Sequence, residues 1–172
     1  MESRTHERGM TLLEILVVIG LMGMFMTFMI PNIMNSLETR DLDNSARDIQ
    51  TTLEQARFRS MDAKINHRVR FAQVSGAWRY YLENETSTNV WAAVAGFPVR
   101  TINSKFTTTI SLPTTSSVQT VEFSPVGLVE GYDSSLNSIS ILSTSLKNKG
   151  QAGVRILRIF AGGSIRFERS TS

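Results

Sequence analysis

The chain has 172 residues, a net charge of +3 and no cysteine, and 41% of its residues are hydrophobic. That is one domain's worth of chain, which excludes a two-lobed enzyme with a cleft between large halves. Disulfides, cysteine-ligated metals and thiol nucleophiles are excluded outright, and two histidines, His6 and His67, leave little for a histidine site.

The first element is the run Met10–Ile30, MTLLEILVVIGLMGMFMTFMI, whose single charge is Glu14. As a helix it measures about 31 Å at 1.5 Å per residue, enough for a bilayer core. It is apolar on every face, unlike an amphipathic surface helix. A secretory signal peptide fits poorly, since Pro31, Asn32, Ile33 and Met34 offer no small-x-small cleavage site. A plain transmembrane anchor leaves Glu14 unexplained, because a carboxylate in hydrocarbon costs roughly 2.5–3.5 kcal/mol and needs a partner.

Gly9-Met10-Thr11-Leu12-Leu13-Glu14 and the apolar run after it resemble the leader signal of type IV pilins and type II secretion pseudopilins. The resemblance implies that 1–9 is a prepilin leader. A membrane-embedded prepilin peptidase would cut between Gly9 and Met10 and methylate the new amine on Met10. Glu14 is then the fifth residue after the cut, the family's assembly glutamate, and Pro31 stands where the family kinks its helix. The leader has Arg4 and Arg8 but also Glu2 and Glu7, so it is less basic than the pattern. The amine of Met10 and the carboxylate of Glu14 lie one helical turn apart. An amine from one subunit can therefore neutralise the glutamate of its neighbour inside hydrocarbon.

After Pro31 the spacing of Ile33, Leu37, Leu42, Ala46, Ile49, Leu53 and Ala56 predicts a continued amphipathic helix over 31–65, with charged residues such as Asp43, Arg47 and Arg57 on the other face. It would end near Lys64, and Pro31 should kink it rather than stop it. The whole helix would be roughly 80 Å long.

From Asn66 the chain becomes rich in Ser and Thr, with short alternating runs. Strands are predicted at Val69–Val74, Trp78–Glu83, Val90–Val94, Thr107–Leu112, Val118–Phe123, Ser138–Leu142, Val154–Phe160 and Ser164–Arg169. Ser75-Gly76-Ala77 and Gly162-Gly163 read as hairpin turns, and Tyr132–Asn137 as a loop. The fold class is α+β: a long N-terminal helix packed on an antiparallel β-sheet head, 66–172.

The head resembles the GspH/FimT branch of pilin-like proteins. Phe123-Ser124-Pro125-Val126-Gly127 is similar to its F-x-P-x-G turn, and Val154–Ile159 with Gly163–Phe167 to its terminal hairpin. In the DNA-uptake pilins of that branch a terminal Gly-Arg-x-Arg touches DNA. Here Ser164 replaces the first arginine and only Arg166 carries over. Arg155, Arg158, Arg166 and Arg169 are thus the nucleic-acid candidates, ranked below the reading that they line the solvent face of half-buried strands. Trp78, Tyr80, Tyr81 and Trp91 read as core and cross-strand pairs ahead of a base-stacking platform.

Glu130 and Asp133 are too few for calcium, and His67 reads as a cap or an exposed residue. No metal or cofactor is expected. No phosphate loop, G-x-S-x-G or paired-acid motif is present, so the chain is expected not to be an enzyme. The resemblance implies an inner-membrane protein with a single pass at 10–30 and its head in the periplasm. Its partners would be the prepilin peptidase and other pseudopilins or pilins. The two leading functions are a minor pseudopilin of a type II secretion pseudopilus and a minor type IV pilin. A membrane-anchored binding domain that never polymerises is the third, and Gly9 and Glu14 argue against it.

Overall fold

The computed structural model describes residues 10–115 and 118–171, without the side chains of 27–32 and 115; the leader 1–9, with Gly9, lies outside the described residues. Two compact units divide the chain, 1–38 and 39–172. One helix, α1 (Leu12–Ala63), contributes to both. Its backbone stays helical through Pro31, so the proline does not end it. The helix stops where Lys64 takes a left-handed conformation, φ 58°, the conformation that closes many helices.

In the first unit the apolar residues from Met10 to Met26 are exposed. Among the described residues no helix is long and apolar enough to cross a membrane. The stretch Met10–Ile30 runs on into residues whose side chains are not described, so the span there rests on the sequence. Ile33 and Leu37 are exposed too, which corrects the expected buried stripe at its start. They belong to the first unit, and among its described residues none is buried.

In the second unit the stripe is buried as expected: Leu42, Ala46, Ile49, Leu53 and Ala56 are fully buried. They share one core with the strands. In chain order these are β1 (His67–Val74), β2 (Ala77–Ser87), β3 (Val90–Ala93), β4 (Arg100–Thr101), β5 (Thr107–Ser111), β6 (Thr114–Thr115), β7 (Val118–Phe123), β8 (Val129–Glu130) and β9 (Ser138–Leu142). A short helix α2 (Thr144–Asn148) follows, then β10 (Val154–Ile159) and β11 (Ile165–Ser170).

The strands form two antiparallel sheets, not one. The larger runs β3-β2-β1-β7-β6, with β4 on β2 and β8 on β7; the smaller runs β11-β10-β9-β5. The chain leaves the small sheet after β5 and enters the large one at β6. Pro113 sits at that switch, and proline has no N–H for a ladder. The β1–β2 hairpin turns on Ser75 (φ 51°) and Gly76 (φ 80°), pairing Val74 with Ala77. Two successive positive φ values match the right-handed twist of the flanking strands. α2 is capped by Ser143, whose hydroxyl accepts from the Leu146 N–H, and Leu146 is fully buried.

Candidate functional site

The N-terminal site starts at Thr11. Its Oγ1 accepts from the backbone N–H of Glu14 at 3.2 Å. Thr11 therefore stands at the N-cap position, three residues ahead of Glu14, and Glu14 is the acid of the first turn. A carboxylate there also faces the positive end of the helix dipole. The signal Thr11-x-x-Glu14 was legible in the sequence but lay hidden beneath the longer leader pattern. Met10 precedes the helix and is exposed.

A second focus lies in the head. The Phe123–Gly127 segment forms a tight turn: the Gly127 N–H donates to the Ser124 carbonyl at 2.8 Å, with Gly127 at φ 80°. Pro125 presets the turn and Gly127 supplies the positive φ. This turn is clamped to α1, because Arg57 Nε donates to the Gly127 carbonyl at 3.0 Å. A Cβ on Gly127 would sit 2.7 Å from Met61 Sδ. Gly163 of the terminal hairpin packs against the same Gly127 carbonyl and Arg57 side chain. The two short segments that resemble the GspH/FimT head thus meet at one arginine that the sequence reading had placed on the helix's polar face.

The four arginines proposed for nucleic acid do not form one surface. Arg155 is 1% exposed and cannot touch a phosphate. Strand alternation puts it on the face of Leu157 and Ile159. There it pairs with Asp43 of α1 and donates to the carbonyls of Ala152 (2.6 Å) and Val154 (3.1 Å). Arg169, opposite Arg155 in the ladder, reaches the same Asp43 at 2.6 Å. Arg158 pairs with Glu168 at 3.1 Å. Arg166 is exposed and lies over the Phe160 ring at 5.2 Å, with no carboxylate within ion-pairing distance among the described residues. Asp43 is likewise corrected, from a solvent-face residue to the acceptor of two guanidinium groups.

The aromatics divide by strand face. Tyr80 is in the core and Trp78 packs against it. Tyr81 and Trp91 are instead on the outer face, under the guanidinium groups of Arg70 and Arg68, each 4.1 Å from the ring centre. Both arginines donate to the buried Glu83, at 2.7 and 2.8 Å. Glu122, nearby on β7, has its pKa raised by burial and by Glu85. His67 is buried and not exposed. Desolvation lowers its pKa, partly offset by the Ile65 carbonyl, 3.1 Å from Nδ1. Asp133 accepts from the Ser135 N–H and hydroxyl, which lowers its pKa, so it serves its own turn. Among the described residues no group of three or more acids or histidines could hold a metal.

Residues 4–30 match the prokaryotic N-terminal methylation motif. Two crystal structures of the type IV minor pilin FimU of Pseudomonas aeruginosa match the fold, each with a TM-score of 0.50. The chain carries a prepilin-type N-terminal motif and has a pilin-like fold. One FimU structure is 18% identical and covers 76% of this pilin-like chain and 95% of its own; the other is 17% identical, with 78% and 93%. No curated protein matches in sequence. At that identity the likeness carries the fold: a long N-terminal helix against antiparallel sheets. The motif and the fold both agree with the expected pilin-like architecture.

Proposed function

We propose that the chain is a non-enzymatic minor subunit of a pilus-type filament. The leader 1–9 is removed after Gly9, Met10 is methylated, and residues 10–30 first anchor the protein in the inner membrane and then pack in the filament core. The head is in the periplasm. The observation that carries this reading is the methylation motif over 4–30 joined to a helix whose apolar residues are uncovered from Met10 to Met26. Such a surface is stable in a bilayer or against neighbouring helices, not in water. Glu14 sets the register by accepting the amine of an adjacent subunit, and its cap by Thr11 holds it at the helix start.

The first assignment of the filament is a type II secretion pseudopilus, with this chain as a minor pseudopilin. A second reading, a minor type IV pilin, is favoured by the fold match to FimU. Nucleic-acid contact is subordinate in both, since three of the four arginines are engaged with carboxylates.

The test co-expresses the chain with its peptidase and partner subunits. The intact mass should begin at a methylated Met10, and Gly9→Val should retain the leader. Glu14→Leu should stay membrane-bound with a folded head yet fail to co-purify with filaments, because Leu inserts better than Glu but cannot accept the amine. Unchanged incorporation of Glu14→Leu would refute the pairing. Loss of protein secretion in a deletion strain selects the pseudopilin; loss of pili with secretion intact selects the minor pilin.

A further inference from the structure

Most charged side chains of α1 within the head are taken up by it. Asp41 holds Lys105, Asp43 holds Arg155 and Arg169, and Asp48 pairs with Arg100. Arg57 holds the Gly127 carbonyl and Arg59 lies over the Phe97 ring. The ridge left facing outward near the helix end is Thr51, Glu54, Phe58 and Asp62, at steps of three and four. Phe58 is 64% exposed, with an acid one turn before it and one turn after. Met61, three residues on, lies against Gly127, and the neighbours of that glycine, Val126 and Leu128, are 71% and 51% exposed. Lys64 stands past the helix end, with Ile65 and Pro125. The end of the spine and the Phe123–Gly127 turn thus present an apolar patch with Glu54 and Asp62 along its border.

An exposed apolar patch with a polar rim marks a macromolecular contact, and an aromatic near its middle is the usual anchor. The border selects the partner. Glu54 accepts from the Gln50 amide at 2.8 Å, while Asp62 has no ion-pair partner among the described residues. The fitting surface is aliphatic with one cation beside it. The chain carries that combination at the start of its own spine. Ile33, Leu37 and Arg40 stand at steps of four and three along α1, the spacing of one helix face. All three are exposed, and Arg40 has no ion-pair partner among the described residues.

We infer that the patch docks Ile33, Leu37 and Arg40 of a second copy of the chain; this rests on the filament reading above and names the contact. Leu37 covers Phe58 and Arg40 reaches Asp62. The two pairings are about 21 and 22 residues apart, so one register serves both, with the copies parallel and one advanced by roughly 32 Å. Ile33 then lies along the stem of Glu54, whose carboxylate is engaged by Gln50. The antiparallel alternative gives Arg40 to the engaged Glu54 and sets Ile33 against the unpaired Asp62. A parallel, shifted contact is heterologous, so it repeats along an axis instead of closing into a dimer.

The chain has no cysteine, so introduced thiols report the contact. Leu37→Cys and Phe58→Cys are placed in two differently tagged full-length copies, co-expressed with the peptidase and partner subunits, and the membranes are oxidised. A mixed-tag disulfide dimer is expected. Thr51→Cys in place of Phe58→Cys should give none, being two turns away where a disulfide needs Cα atoms within about 7 Å. Arg40→Glu in both copies, or Asp62→Arg in both, should cut the yield about tenfold, and the two reversals together should restore it. Misfolding cannot produce that rescue. No mixed dimer, an equal yield from Thr51→Cys, or no rescue overturns the docking. So does a Phe58→Cys adduct formed only with a different subunit. If the dimer is absent while the wild-type chain, methylated at Met10, still co-purifies with filaments, the docking alone falls. If the wild type keeps its leader and stays out of filaments, both readings fall.

Discussion

Asp43 shows how much one side chain can carry. It accepts from the fully buried Arg155 and from Arg169. Removing the carboxylate leaves a buried guanidinium with only carbonyl partners. Asp43→Leu should therefore cost about 3–5 kcal/mol, read as a lower denaturant midpoint. Adding Arg155→Met should restore most of the loss, because the uncompensated charge goes with it. His67 supplies the pH counterpart. Its folded pKa lies below the ordinary 6.5, chiefly through desolvation. The unfolded chain then binds the proton first, so this contribution is complete above pH 6.5 and is lost as the pH falls toward the folded value. Glu122, with a raised pKa, has the opposite sign: its contribution is present below 4.5 and fades as pH rises. Wild type minus His67→Gln, compared by thermal unfolding across pH 5–7.5 or so, isolates the histidine. A flat difference would show that His67 does not titrate with unfolding.

Among the elements, the terminal hairpin and the Phe123–Gly127 turn depend on each other through Arg57. Gly76 and Gly163 both have positive φ, 80° and 76°. A Cβ at Gly76 meets open space, whereas at Gly163 it runs into the Gly127 carbonyl and Arg57. Gly76→Ala should cost about 1–2 kcal/mol, the penalty of the left-handed backbone. Gly163→Ala should cost clearly more, as a larger fall in melting temperature; equal falls would mean that the turn shifts freely. The local elements were legible in the sequence. Alternation located Val118–Phe123 and Ser138–Leu142 with their observed bounds, and Ser75-Gly76 announced its hairpin. Sheet membership was not, because Thr107–Ser111 and Val118–Phe123 are both Thr-bearing strands and only long-range pairing sends them to different sheets. Nor could periodicity separate Asp43 and Arg57 from Asp41 and Arg59. A helix's polar face is readable, but a partner arriving from the far end of the chain is not. At the N-terminal site the leader pattern was readable whole, since it depends on adjacent residues.

At the scale of the whole molecule, the unit 39–172 holds its own core, drawn from α1 and both sheets. A fragment beginning at Asn35 should be soluble and should show helix and strand together by circular dichroism. One that only aggregates would mean that the head needs the first unit or a partner. The fold also sets a timetable. The spine is synthesised first, but Asp43 waits for Arg155 and Arg169, separated from it by 112 and 126 residues. Arg57 waits for Gly127, 70 residues away. Loop closures of that length are slow to make. A chain emerging from its N-terminus therefore holds a long helix with a bare apolar stripe until its last strands arrive. Completion of synthesis, not the appearance of the helix, is what makes this head competent to fold.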